Sequence, residues 1–330
     1  MEELPRRSTR SASTRSNGPE ALATLIMESK FTVFVTGAGI STNGGIRDYT
    51  GPNGILTEAR KRKRRNVAVD EGYWDDGLYK SITNATPTAT HFGIQSLVEH
   101  GFVDYVISQN EDGLHVRSGL DRENLSELHG NDFIELCSNE DCCDREVFRD
   151  FVTYAAGDTY KTTNPLGRHV TGRACPHCAS PNSLLDTCVD FKEMPDGAPW
   201  GVNPVHQMGR AQDAMKRADL VVAWGSSLDV LANYFDPWDP ESEEWGRGTS
   251  CRLAAVTMGR VCDEEQCVIK LDSDVDEVMR RVLAALQLQP VKTYDPAEDV
   301  VIAKAVPPHP HEPIADWHIT RDTASSAVRG

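Results

Sequence analysis

Five of the nine cysteines lie between residues 131 and 186, in two groups whose spacing suits a metal ion. One group is a Cys-x2-Cys pair and the other leaves two choices for its second member: Cys175 with Cys178, and Cys137 with Cys142 or Cys143. Two such pairs are typical thiolate ligands of a tetrahedral zinc ion. Because the protein would fill all four positions, the spacing predicts one structural Zn2+ and no catalytic metal.

A second candidate site is the glycine-rich segment Gly37, Ala38 and Gly39, which follows the apolar run 31–36. Glycine lets the backbone approach a pyrophosphate, whose charge is met by free N–H groups at the start of the next helix. The segment departs from the usual dinucleotide fingerprint, because Thr42 stands at the third glycine position. The triplet alone is therefore compatible with a nucleotide-binding loop or with an ordinary turn.

Longer motifs decide between these two interpretations, because the chain resembles the sirtuin family at several separate places. The motifs follow the family's order within about residues 32–288: GAGIS at 37–41, GIRDY at 45–49, GPNG at 51–54, SQNEDGLH at 108–115, ELHGN at 127–131, TGRAC at 171–175 and GSSL at 225–228. The GPNG continuation resembles the chromatin-associated nuclear subclass, class IV. The resemblance implies a Rossmann-like fold, NAD as cofactor and removal of acyl groups from lysine.

The same resemblance assigns roles to individual residues. It implies that Asn110 and Asp112 belong to a nicotinamide pocket, and that His129 is the general base for a ribose hydroxyl. A histidine suits that role because its ordinary pKa, about 6.5, lies near working pH. The other implied cofactor contacts are Gly37, Ala38, Gly39, Ser41, Ile46, Asp48, Tyr49, Gln109, Gly225, Ser226, Ser227, Thr257 and Val275.

An extended acyl-lysine peptide is expected to bind as an added strand between two domains. The resemblance implies that Val189 and Phe191 form the apolar tunnel around the lysine stem, and an ordinary core alternation is the alternative. Three positions depart from the family pattern: Thr50 replaces an arginine, Lys192 a glycine and Thr257 an asparagine. These departures raise the question of whether activity is lowered.

The fourth zinc ligand can also be chosen by resemblance. Alignment of the residues that follow the first cysteine group favours Cys143, whereas the more compact spacing favours Cys142. We take Cys137, Cys143, Cys175 and Cys178 as the expected ligands.

A sheet must position these residues. Four apolar runs end in glycine or small polar residues, which is typical of buried parallel strands: 31–36, 103–108, 220–224 and 253–256. Thr86 and Pro87 predict the start of a helix that ends at Gly101, and His91 on it is expected to pack under the glycine loop. Asp274 predicts the start of a late amphipathic helix. Strand–helix alternation predicts an α/β fold with a doubly wound parallel sheet.

The predicted Rossmann-like domain comprises residues 19–130 and 184–289, with a flexible or helical insert at 60–83. The zinc-binding module is predicted at 131–183, where no strong helical period occurs. A bound metal would stabilise so small a module in place of a large hydrophobic core. Residues 1–18 and 290–330 are predicted to be flexible tails, because they are rich in polar residues, with arginine in the first and proline in the second.

The 330 residues carry a net charge of −16, which argues against a uniformly basic nucleic-acid surface. No stretch approaches the roughly 18 apolar residues of a membrane span. Positive charge is concentrated in residues 1–18 and in the run Arg60 to Arg65. Three interpretations of that run remain open: a solvated charge run, a nuclear-import signal, or a contact with DNA or phosphate.

We therefore expect an NAD-dependent protein-lysine deacylase in the nucleus, with the cytoplasm as the alternative. Nicotinamide is released, the acyl group passes to ADP-ribose, and histones or other nuclear proteins are the expected substrates. A protein mono-ADP-ribosyltransferase on the same fold is one alternative. A catalytically weakened NAD-binding protein associated with chromatin is the other.

Overall fold

The computed structural model describes most of the chain: residues 18–49, 51, 54–64, 82–153, 170–189, 205–231, 250–262 and 264–309. Several predictions fall outside these ranges: those for Thr50, Arg65, Phe191 and Lys192, and for segments 1–17 and 310–330. Within the described ranges, no helix combines the length and apolar character needed to cross a membrane.

The described residues form two sheets. Their strands are β1 Thr32–Thr36, β2 Tyr105–Ser108, β3 Leu125–Glu127, β4 Ile134–Cys137, β5 Glu146–Phe148, β6 Leu184–Asp186, β7 Leu220–Trp224, β8 Arg252–Val256 and β9 Cys267–Leu271. Six of them pair in the order β3-β2-β1-β7-β8-β9, and all of these pairings are parallel. The order reverses between β1 and β7, so the predicted doubly wound sheet is confirmed. Ligands of such sheets bind at that reversal, beyond the carboxyl ends of the strands.

Helices cover both faces of the large sheet. They are α1 Pro19–Glu28, α2 Ile55–Arg64, α3 Ala89–Glu99, α4 Leu114–Arg117, α5 Met208–Arg217, α6 Val275–Ala285 and α7 Val300–Lys304, with 3₁₀ turns at Ala38–Gly44, Arg122–Asn124, Glu264–Gln266 and Pro296–Glu298. α6 packs between α1 and α3 over one apolar core. α5 covers a second core on the opposite face.

The ends of two helices test the cap predictions. α3 begins two residues later than predicted, because Thr88 and not Thr86 caps it: the Thr88 hydroxyl accepts from the His91 backbone N–H, and His91 Nδ1 accepts from the Thr88 N–H at 3.2 Å. The helix ends at Glu99, before Gly101. The predicted cap of α6 is confirmed, since Asp274 accepts from the Glu277 N–H at 2.9 Å.

The smaller sheet is antiparallel, in the order β5-β4-β6. Since β6 belongs to it, the sheet extends to Asp186, beyond the predicted module boundary at residue 183. Arg149 Nε and Arg173 Nε donate to the two carboxylate oxygens of buried Glu135 at 2.6 and 2.7 Å. Such a buried ionic triad needs every partner, because removal of one leaves an uncompensated charge.

The C-terminal segment corrects the sequence prediction, because residues 290–309 are not a loose tail. Asp299 forms a buried ion pair with Arg117 at 2.8 Å, and Val301 is fully buried in the main core. The Val306 N–H donates to the Phe148 carbonyl at 2.8 Å. The segment therefore packs on both sheets, a contact that its proline-rich, polar composition does not indicate.

Candidate active site and zinc centre

The loops that follow β1 and β7 cross at the point where the strand order reverses. Gly37 N–H donates to the Trp224 carbonyl at 3.0 Å, and Gly39 N–H donates to the Gly225 carbonyl at 2.8 Å. A Cβ atom at Gly39 would lie only 2.7 Å from that Gly225 oxygen. Gly225 itself has a φ of +60°, which favours glycine. The backbones can therefore approach this closely only because both residues lack a side chain.

Three of the predicted pocket residues meet below this crossing. Ser41 Oγ donates to Asp112 Oδ2 at 2.6 Å, and Asn110 Nδ2 donates to Ser41 Oγ at 3.2 Å. The Leu114 N–H holds the other carboxylate oxygen at 3.0 Å. Burial raises the pKa of Asp112, whereas the bonds from Ser41 and Leu114 lower it. The result is a fixed amide and carboxyl pair at the carboxyl end of β2.

A second set of contacts joins the predicted ribose and base residues. Gln109 Nε2 donates to Ser226 Oγ at 2.7 Å, and His129 Nδ1 lies 2.7 Å from the Gln109 carbonyl oxygen. Because a carbonyl oxygen can only accept, Nδ1 carries the proton and Nε2 keeps its lone pair. Burial lowers the pKa of His129. The imidazole is therefore oriented as a neutral base.

The residue predicted to line the acyl-lysine tunnel lies next to this base. The Val189 N–H donates to the His129 carbonyl at 2.9 Å. Its side chain is half-buried. The segment 187–189, which follows β6, also passes very close to Gly130, where an added Cβ would lie 2.0 Å from the Thr187 carbonyl oxygen. Val189 and His129 are thus held together through the backbone.

The remaining predicted cofactor residues are spread around the same edge. Ala38 begins the 3₁₀ turn, Ile46 is buried in the core, and Asp48 Oδ1 accepts from the Gly51 N–H at 3.1 Å. Tyr49 is 36% exposed. Desolvation of its hydroxyl and the charges of Glu111, Asp132 and Asp112 raise its pKa.

The last three positions follow β7, follow β8 or begin α6. Ser227 Oγ accepts from the Asp229 N–H at 3.4 Å, and Thr257 is buried with its N–H on the Leu271 carbonyl at 3.1 Å. Val275 is buried at the start of α6. Asn43 of the glycine loop donates to Asp274 and Asp276 at 3.1 Å each, which brings the start of α6 to the loop.

Sequence reasoning predicted only His91 in the buried layer that supports the glycine loop, and it missed Thr36, His115 and Thr88. Thr36 Oγ1 lies 2.9 Å from His115 Nε2, and the rings of His115 and His91 are 5.0 Å apart. Burial lowers the pKa of His115 to about 3, so this ring is neutral. Thr88 Oγ1 donates to the Ile40 carbonyl at 3.0 Å, which places the cap of α3 beneath the loop. His91 packs there, as expected.

The cysteine cluster corrects one predicted ligand. Cys137, Cys142, Cys175 and Cys178 have Sγ atoms that all lie within 4.8 Å of one another, whereas Cys143 is exposed. The pairs Cys137–Cys178 and Cys142–Cys175 are each separated by 3.7 Å between sulfurs. Tetrahedral zinc with Zn–S bonds of about 2.3 Å requires sulfurs about 3.8 Å apart. The four thiols therefore fit a structural zinc ion, with Cys142 as the fourth ligand.

Comparison with known proteins agrees with this geometry. The model of the Sir2 family matches residues 37–232. Human NAD-dependent protein deacetylase sirtuin-7 is 36% identical over 288 residues, which cover 87% of this chain and 64% of that protein. NAD-dependent protein deacetylase Sirt6 of Drosophila melanogaster is 37% identical over 291 residues, 85% of this chain and 78% of that protein.

A solved Sir2 complex with a p53 peptide and NAD+ superimposes with a TM-score of 0.51 and 25% identity, covering 81% of this chain and 97% of that chain. The chain spans less than two thirds of the length of human sirtuin-7, the relative described above.

Proposed function

Because this chain belongs to the Sir2 family, we propose that it is an NAD-dependent protein-lysine deacylase. The supporting observation is the continuous set of contacts from Ser226 through Gln109 to His129, beside the Ser41–Asp112–Asn110 group. This arrangement combines small hydroxyls near a glycine loop, an oriented neutral base and a buried amide and carboxyl pair.

Each group has a chemical task in the proposed reaction. NAD, when bound, supplies the ribose carbon that captures the acyl oxygen as nicotinamide leaves. Asn110 and Asp112 are assigned to hold the carboxamide, because their side chains are fixed by Ser41 before any ligand arrives. His129 accepts a proton at Nε2, since Nδ1 is occupied by the Gln109 carbonyl. Val189 is assigned to the wall along the lysine stem.

The proposed activity is tested with purified protein, NAD and two peptides, one acetyl-lysine and one myristoyl-lysine. Nicotinamide release and the loss of peptide acyl mass are followed together. The His129→Ala variant removes the base. The His100→Ala variant is the matched control, because His100 is an exposed histidine at the end of α3.

We expect nicotinamide and deacylated peptide from the native protein and from His100→Ala. In His129→Ala the rate should fall by a factor of about 100 or more, which is the usual effect of losing a positioned base. Equal rates in all three proteins would exclude the assigned site. Labelled ADP-ribose on protein without deacylated peptide would replace the proposal by ADP-ribosyl transfer.

We also propose that the protein acts in the nucleus on histones or other nuclear proteins. The basic run supports this proposal, because three of its residues for which the structure gives side-chain exposure, Arg60, Lys61 and Arg64, are exposed on α2. Replacement of the basic residues 60–65 by glutamine, followed by imaging in cells, tests it. If the run is an import signal, the variant should no longer accumulate in the nucleus. Unchanged accumulation would exclude the import signal and leave two interpretations of the run, a DNA contact or a solvated charged surface.

A further inference from the structure

A second group of side chains of the types that ligate metals lies beside the proposed base, apart from the four-cysteine centre. Glu111, Asp132 and Cys188 each present a ligand atom, and these atoms all lie within 4.8 Å of one another. They come from three segments that the proposed reaction already uses: the loop after β2, the turn after His129 and the segment between β6 and Val189.

Backbone contacts fix the three segments around this group. The Asp132 N–H donates to the Glu111 carbonyl at 2.7 Å, and the Asn131 N–H donates to Thr187 Oγ1 at 3.0 Å. Cys188 Sγ donates to Asp132 Oδ1 at 3.2 Å. The fold therefore holds the three segments together, and the contact between Cys188 and Asp132 holds two of the ligand side chains in place.

Within the described part of the chain, the Asp132 carboxylate is buried and has an oxygen without a hydrogen-bond partner. It is 2% exposed, and its Oδ2 atom has no hydrogen-bond partner among the residues that the structure describes. An unpartnered buried carboxylate oxygen is costly, and a bound cation is one of the few groups that can stabilise it. The carboxylates of Asp112 and Asp186 act on Asp132 electrostatically, so its surroundings are short of positive charge.

We propose that Glu111, Asp132 and Cys188 form a second metal site that binds one Zn2+ ion between the turn after His129 and the segment that carries Val189. Two carboxylates and one thiolate are a mixed oxygen and sulfur set, which suits zinc better than magnesium or calcium. Glu111 is only partly buried, so this end of the site is reachable by solvent. Three protein ligands leave the fourth tetrahedral position to water or to a substrate group.

Zinc at this site should change the stability of the native fold. Zinc joins the segments that carry Asn110, His129 and Val189, so binding is expected to stabilise the native fold as any ligand specific to the native state does. This inference does not depend on the proposed deacylase activity, because metal content is measured without NAD or peptide.

The test uses the full-length chain without an affinity tag, equilibrated with zinc chloride and then desalted. Zinc per chain is measured by mass spectrometry of the metal. We expect about two equivalents in the native protein and about one in Cys188→Ser and Asp132→Asn, because each variant removes a ligand of the second site only. Cys251→Ser is the matched control, since Cys251 is a buried thiol in the separate core under α5.

Glu111→Gln provides a second variant that should fold, because this side chain is only partly buried. It should also hold about one equivalent, and the zinc-dependent rise in melting temperature should disappear with it. About one equivalent in the native protein would overturn the proposal and indicate that Asp132 is kept neutral by a proton. Two equivalents in all three variants would overturn it as well.

Discussion

Replacement of Asp299 by alanine tests whether the C-terminal segment is part of the folded core. Its carboxylate accepts four hydrogen bonds, from Arg117 Nε and the Tyr294 hydroxyl at 2.8 Å each, and from the Val301 and Ile302 N–H groups at 2.9 and 3.1 Å. Both side chains of the Asp299–Arg117 pair are at most 1% exposed. Asp299→Ala therefore leaves a buried guanidinium without its counterion.

The magnitude follows from these contacts. Breaking one side of a buried ion pair costs about 3–5 kcal/mol, and loss of a helix cap costs about 1 kcal/mol. The Arg117 Nη1 bond to the Ala85 carbonyl, at 2.9 Å, remains and offsets part of the loss. We expect the free energy of unfolding to fall by about 3–5 kcal/mol in total.

Equilibrium urea unfolding, followed by tryptophan fluorescence and circular dichroism, measures this change. Asp295→Ala is the matched control in the same segment, because Asp295 is exposed and caps only the short 3₁₀ turn through the Ala297 N–H at 2.9 Å. It should cost about 0.5–1 kcal/mol. A double variant with leucine at both 117 and 299 should recover much of the loss. Similar small losses in Asp299→Ala and Asp295→Ala would refute a packed C-terminal segment.

Three further predictions concern the zinc centre, the loop crossing and the base. Cys142→Ser should lose the structural zinc and lower the melting temperature, whereas Cys143→Ser should retain both, as measured by metal analysis and thermal unfolding; the opposite result would restore Cys143 as the ligand. Gly39→Ala should abolish NAD binding in calorimetry, because its Cβ would lie 2.7 Å from a carbonyl oxygen, while Gly209→Ala, where nothing lies within 4 Å, should bind normally. Because burial lowers the pKa of His129 from its usual 6.5, the base form persists below that pH. A pH–rate profile of kcat/KM should therefore have the midpoint of its acid limb below pH 6.5, and a midpoint above 6.5 would contradict a buried neutral base.

Local sequence patterns predicted the features that depend on neighbours in the chain. The run 220–224 coincides with β7, since a buried central strand is an uninterrupted apolar run. The cap at Asp274 was equally readable, because a helix start is a contact between residues three positions apart. The edge strand β9 escaped prediction because it carries exposed positions.

The sequence by itself determined the family resemblance, the positions along the chain of four apolar runs that form parallel strands, and the presence of two cysteine pairs. Only the tertiary structure decided between Cys142 and Cys143, because spacing and family alignment favoured different members of this adjacent pair and only the fold shows that the Cys142 side chain is buried. It also decided that Asp299 belongs to the core, through a contact with Arg117 that is 182 residues away in the chain. Such contacts leave no local pattern, since burial of a charge depends on a distant partner and not on its neighbours.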